Sequence, residues 1–438
     1  MGGSFARALL AAACALLASC PSSPRTPSVD PELPTHLLLI TVDTLRADHL
    51  GAYGHPGNIS PAIDGLAARG TIYHEVHAPA SWTLASLASV MTSTPSSVHG
   101  CWNFKSSLSD EAVTLAEVLR ENGYRTAAVA SHVFLGPKYG LHQGFEDYDV
   151  DLVQPGLVKS HEAISSPQVS DKGIAALQRW SAEPEVPQFL WLHYFDPHSE
   201  YQAHPAFVGR FGRADDHDLY RGEIAFTDRA IGRVLSELDD LGLADQTVVA
   251  FTSDHGEEWG EHGGQGHGTT LHAEQIRVPL IVAGPGLGTG FSKLPMSTLD
   301  LAPSLLKVLE LDLPPSFLGQ PRFGTFDFEP ELEPDEPVVE ELRLRPGREA
   351  DGLRVWNWHL IRPRSDKPAR LYRLDLDPLE QDNLIEAEPE RAAEMSDQLT
   401  DLLTGYAQHA QEAKALTHTD EELQRLSDLG YADGPEDK

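Results

Sequence analysis

The feature that most constrains this chain is a seven-residue run, His36–Val42 (HLLLITV), almost wholly apolar and without alternation. A strand with one face in water alternates polar and apolar residues. A run like this one needs cover on both faces, as in a parallel sheet flanked by helices. Comparable runs occur at 126–129, 189–195, 247–252 and 280–283. Helical patterns lie between them. Pro61 after Ser60 marks a helix start and Gly70 its stop, and helical spacing returns at 114–122 and 223–241. Strands alternating with helices predict an α/β fold, with a large, doubly wound, mainly parallel sheet domain over 35–326.

The segment 327–337 (DFEPELEPDEP) is acidic, proline-rich and aperiodic, and reads as a linker or surface loop. Beyond it, alternating segments at 353–361 and 369–374 and a helical pattern at 390–403 predict a smaller C-terminal α+β domain over 338–416, an antiparallel sheet with one packed helix. The acidic residues 417–438 read as a peripheral tail.

The N-terminus has the form of an export signal. Arg7 supplies a positive charge, and the apolar stretch 8–18 is short for a membrane span. It ends in Leu17-Ala18-Ser19-Cys20, which resembles a bacterial lipobox. On that reading 1–19 is a signal peptide, Cys20 carries lipid and 20–34 is a Pro/Ser-rich tether, placing the protein in the cell envelope as a membrane-anchored lipoprotein. The other reading is a plain secretory signal cut near Ser19. Of three cysteines, Cys14 leaves with the signal and Cys101 stays alone, as a buried small hydrophobe in a domain without a disulfide framework.

With 66 acidic and 33 basic residues the formal net charge is −33, a field that repels nucleic acid. An anionic substrate stays admissible, because a bound cation inverts the local charge.

Ligands of open parallel sheets bind beyond the carboxyl ends of the strands. Asp43 follows the first apolar run, His193 and His198 lie at and beyond the end of FLWLHYF, and Asp254-His255 follows TVVAFT. Carboxylates and imidazoles at strand ends suit a metal ion. Glu261-His262-Gly263 and Gly266-His267-Gly268 add histidines among glycines that permit close backbone approach. Thr83 precedes an apolar stripe of Leu84, Leu87, Val90 and Met91 and so stands at a helix N-terminus. It is either an ordinary cap or a hydroxyl nucleophile aimed at an anion.

Together these segments resemble the sulfatase family of the alkaline phosphatase superfamily. The anchors are TVDTLRADHLGAYG, APASWTLASLASVMTSTPSSVHG, TSDHGEEWGEHG and Leu371-Tyr372-Arg373-Leu374 followed by Asp377-Pro378-Leu379-Glu380. The resemblance implies one divalent metal ion on Asp43, Asp254 and His255. Mn, Zn or Mg suits that oxygen and nitrogen set, and Ca becomes less natural with His present. His255 stands where typical sulfatases have asparagine and where phosphonate monoester hydrolases and lipoteichoic acid synthases have histidine. His198 matches a histidine that contacts the transferred group, and His267 stands where a substrate-binding lysine is common. His132 falls at a GKWHLG-like motif that it matches poorly.

The departure from the family lies at the nucleophile. Sulfatases convert a Cys or Ser in C-x-P-S-R to formylglycine. The register here reads Thr83-Leu84-Ala85-Ser86-Leu87, without cysteine, proline or arginine. Threonine cannot give that aldehyde, because its β-carbon bears a methyl group. Ser81 and Ser86 are hydroxyls outside the register. Lipoteichoic acid synthases, by resemblance, use threonine here to form a covalent intermediate. A formylglycine diol ejects sulfate by collapsing to the aldehyde, whereas a threonine ester waits for water or an alcohol.

The resulting expectation is a metal-dependent hydrolase or transferase of phosphate, phosphonate or sulfate esters, including phosphodiesters. Thr83, His198 and His267 are its catalytic residues. The expected partner is an anionic ester on an envelope or extracellular glycan or lipid. A non-catalytic surface lipoprotein that binds polyanionic glycan in the same crevice is the alternative.

Overall fold

The computed structural model describes residues 35–152, 165–212, 214–324, 337–428 and 431. The signal, the tether, Cys20 and nearly all of the acidic linker lie outside the described residues.

The main sheet has eight strands: β1 (His36–Val42), β2 (Thr71–Tyr73), β3 (Arg125–Ala130), β4 (Asp147–Asp149), β5 (Gln188–Tyr194), β6 (Thr247–Ser253), β7 (Leu280–Ala283) and β8 (Gly290–Ser292). Their order is β8-β2-β7-β6-β1-β5-β3-β4. β6, β1, β5, β3 and β4 are parallel, and β7 runs antiparallel between β6 and β2. This is the doubly wound, mainly parallel sheet that the apolar runs predict. All seven residues of β1 are buried. Leu37 and Leu39 join one core cluster, and Leu38, Ile40 and Val42 join the cluster on the opposite face.

Helices α1 (Pro61–Ala68), α3 (Ser166–Ala182) and α4 (Asp216–Asp240) cover one face, and α2 (Thr83–Thr92) lies on the other. Helix α2 is buried along its whole length, so its apolar stripe is a core element. Cys101 is buried there too, with its thiol pushed up by burial.

Four antiparallel strands form the small sheet: β9 (Val338–Leu342), β10 (Ala350–Val355), β11 (Trp358–Pro363) and β12 (Arg370–Arg373). Helix α5 (Pro389–Ala407) packs on one face through Met395 and Leu399. The opposite face does not look into solvent. Leu342, Leu344, Ala350, Ile361 and Tyr372 belong to the main core cluster, and Glu341 N–H donates to Pro79 O at 2.8 Å.

The expected peripheral position of the acidic tail needs correction. Residues 414–415 pair with Ser106 and Ser107, and helix α6 (Asp420–Asp428) buries Leu423 and Leu426 in the main core. Lys138 pairs with Glu422 on the solvent side. Asp420, Glu421 and Glu422 stay exposed or half-buried on a short amphipathic helix that buries two leucines on its other side.

Candidate active site

The carboxyl ends of β1, β5 and β6 open onto one crevice, because the three strands are parallel and in register from His36 beside Gln188 and Thr247. Asp43 leaves β1 and Asp254 leaves β6. Both are fully buried, as are Thr83 and His255. His255 Nε2 lies 3.4 Å from Asp254 Oδ2, 3.7 Å from Asp43 Oδ1 and 3.3 Å from Thr83 Oγ1. Ligand atoms of Asp43, Asp254 and His255 all fall within 4.8 Å of one another.

Both carboxylate oxygens of Asp43 and Oδ2 of Asp254 lack hydrogen-bond partners within the protein. Orphaned oxygens at such depth are costly unless a cation neutralises them. Burial first, then Asp254 and Glu257, push the Asp43 carboxyl well above its usual range. Burial raises Asp254 to about 7 against the opposing N–H bonds from His255 and Thr44. Burial, with His267 next, holds His255 well below the ordinary histidine value. His255 Nδ1–H donates to Gly256 O at 3.0 Å, which leaves the Nε2 lone pair facing the two carboxylates. Two carboxylates and a neutral imidazole fit a divalent ion.

Two further histidines stand beside this set. His193 Nε2 and His132 Nε2 lie 3.5 and 3.7 Å from Asp43 Oδ2. Phe134 N–H donates to His132 Nδ1, so the remaining His132 proton sits on Nε2, toward the carboxylate. The poorly matched histidine of the sequence therefore reaches the site.

Thr83 is the first residue of α2, and extended Trp82 occupies the cap position. No side-chain cap bond is present there, so the simple cap reading of Thr83 does not hold. Its hydroxyl faces the ligand cluster at the positive end of the helix. Ser86 is turned away and donates to Asp254 O at 2.6 Å, while buried Ser81 Oγ has no partner.

His198 and His267 complete the crevice with ring centroids 4.8 Å apart. His198 Nδ1–H donates to Ser199 O at 2.6 Å, and His267 Nδ1–H to Glu257 Oε1 at 3.1 Å. Both Nε2 atoms thus point inward. Gly266 and Gly268, at φ of 80° and 66°, flank His267 in a conformation few other residues adopt. Glu257, which carries His267, lies in the Asp254–Glu258 run and is indistinguishable in sequence from a solvated acid.

A second group, His262, His272 and Glu274, is also close enough to hold an ion. Its nitrogens are already engaged. His262 Nδ1–H donates to Glu274 and Nε2–H to Glu380 O, and its pKa is raised to about 9, burial opposing and Glu274 prevailing. His272 stacks on it at 3.6 Å. Glu380 accepts from Ala273 N–H, Arg354 and His359, so the Asp377–Glu380 motif clamps the stretch 262–274 that carries His267.

The site thus joins a carboxylate and histidine cluster beyond the parallel strands to a hydroxyl at a helix N-terminus. Residues 35–311 match the sulfatase family model, and the chain belongs to that family. It is 28% identical to arylsulfatase A of Bos taurus over 341 residues, 64% of this chain and 65% of that enzyme. It is 24% identical to an arylsulfatase of Clostridium perfringens, covering 65% of this chain and 76% of the relative. The chain thus spans less than two thirds of the arylsulfatase A length. Among solved structures, Ps i-CgsB in complex with a neocarrahexaose superposes with a TM-score of 0.73 at 19% identity, covering 91% of this chain and 98% of that one. BT4656 in complex with D-glucosamine-2-N,6-O-disulfate gives 0.72 at 17% identity, covering 86% and 99%.

Proposed function

We propose that this protein hydrolyses or transfers an anionic ester through Thr83, with phosphoryl or phosphonyl groups favoured over sulfate. The observation that carries the reading is Thr83 Oγ1 at 3.3 Å from His255 Nε2, beside the partnerless oxygens of Asp43 and Asp254. Asp43, Asp254 and His255 would hold one divalent ion, whose charge favours ionisation of the Thr83 hydroxyl and draws the ester's oxygens inward.

The bond from Thr83 Oγ1 to the central atom forms as the bond to the ester oxygen breaks, and the Thr83 proton departs on that oxygen. Nε2 of His198 or His267 relays the Thr83 proton to the leaving oxygen and, while it holds that proton, donates to a non-bridging oxygen. Glu257 fixes the His267 ring through its Nδ1–H. His132 and His193 stand beside Asp43 at 3.7 and 3.5 Å and line its side of the crevice. The resulting threonine ester is released by water, or by an alcohol in transfer. Phosphorus and phosphonate centres accept that second attack more readily than a sulfate ester, which formylglycine enzymes release by a different collapse.

BT4656, similar in fold and solved in complex with D-glucosamine-2-N,6-O-disulfate, supports an anionic ester on a glycan as the substrate type. Purified protein loaded with Mn2+ is assayed against aryl sulfate, phosphate, phosphodiester and phosphonate esters. Turnover led by a phosphorus ester supports the proposal. Turnover of sulfate alone refutes the preference, and metal-independent inertness toward all four favours a glycan-binding descendant.

A further inference from the structure

The crevice already holds a side chain. Tyr431, 4% exposed, puts its phenol oxygen 2.8 Å from His267 Nε2, 3.1 Å from His198 Nε2 and 3.5 Å from Thr83 Oγ1. Its ring stands edge-on to Phe134 at 4.7 Å, with Trp82 at 6.5 Å and His132 at 6.3 Å. These three polar partners come from elements far apart in the chain and have one thing in common: they are the groups aligned to receive a transferred group.

A single phenol O–H donates to only one of the two inward Nε2 lone pairs, but the phenol oxygen stands in front of both. With Nδ1–H of each histidine committed to Ser199 O or Glu257, Nε2 is the atom each ring turns toward whatever occupies the crevice. An oxygen of a tetrahedral group at hydrogen-bond distance from both Nε2 atoms and beside Thr83 would coincide with the phenol oxygen. The two occupants exclude each other.

Tyr431 is also held from behind. Its N–H donates to Leu426 O at 2.7 Å, which ties it to α6. Leu423 and Leu426 anchor that helix in the core, and His418 Nε2–H donates to Phe104 O at 2.7 Å. The ring is the inward end of a docked element.

We propose that Tyr431 is a built-in competitor, a neutral phenol that occupies the seat of the transferred group until an anionic ester displaces it. This rests on the reading of Thr83, His198 and His267 given above. A site closed by its own side chain shows an apparent dissociation constant raised by the inverse of its open fraction.

The test uses the full chain loaded with Mn2+, with inorganic phosphate as the probe in calorimetry. Tyr431→Ala is expected to bind phosphate roughly tenfold tighter than wild type, the effect of a site open about a tenth of the time. Tyr431→Phe keeps the ring, loses the three oxygen contacts and should fall between them. It guards against misfolding of the alanine variant. KM for a turned-over aryl ester should fall in parallel, with kcat not reduced. Equal or weaker phosphate binding in both variants overturns the proposal, and so does a manyfold loss of kcat in Tyr431→Phe, which would make the phenol a catalytic donor. Tighter phosphate binding without turnover in any variant would sink the hydrolase reading and leave the occlusion standing.

Discussion

The Asp254 carboxyl allows the cation site to be tested without any substrate. Its Oδ1 accepts N–H bonds from His255 and Thr44, while Oδ2 has no partner. Burial raises it from 3.8 to about 7 in the metal-free protein. A folded value above the unfolded one means that the favourable contribution is complete below pH 4 and is lost as pH rises through 7. At pH 8 the ionised carboxyl costs the folded state up to about 4 kcal/mol, from 1.36 kcal/mol per unit of pKa. Asp43 shares the strain of charging the pocket, so a measured cost of about 2–4 kcal/mol is expected. Asp254→Asn keeps the Oδ1 acceptor and removes the charge. Under chelation at pH 8 it should therefore be more stable than wild type by that amount in urea denaturation. The gap should shrink to less than half by pH 5. Saturating Mn2+ should invert the order, with wild type gaining stability and holding about one ion per chain, and the variant losing both. A variant less stable than wild type under chelation, a gap independent of pH, or full metal retention in the variant would refute the assignment.

The nucleophile makes a graded prediction. Thr83→Ser should keep measurable turnover, while Thr83→Ala and the near-isosteric Thr83→Val should lose several orders of magnitude with the fold intact. A mass adduct on the quenched enzyme should map to Thr83, and an adduct on Ser81 or Ser86, or full activity in Thr83→Val, would move the chemistry elsewhere. For the export signal, metabolic labelling with a fatty-acid analogue should tag wild type and miss Cys20→Ala, and equal labelling of both would refute the lipid anchor.

Much of the crevice is legible in the sequence because parallel strands deliver their following residues to one edge. Asp43, Asp254 and His255 each come directly after an apolar run, and the register of β1 with β5 and β6 does the rest. Thr83 is legible from the apolar stripe that follows it, although its place as first helical residue beside an extended Trp82 requires the backbone. Residues that act on other side chains are harder to find. Glu257 hides in an acidic run, and His132 follows a segment whose motif match is weak. Tyr431 has no local signal. The residues around it are acidic, and its position depends on Leu423 and Leu426 finding the main core from more than 300 residues beyond Thr83.

The small antiparallel sheet is not a module that recombination could exchange freely. One face contributes Leu342, Leu344, Ala350, Ile361 and Tyr372 to the main core, and Glu380 grips the stretch that presents His267. Separation would expose an apolar surface and release the stretch that carries His267 at the same time. The two sheets should share one heat-absorption peak in calorimetry, and changes in the small sheet, far from any ester, are inherited by the geometry of the crevice.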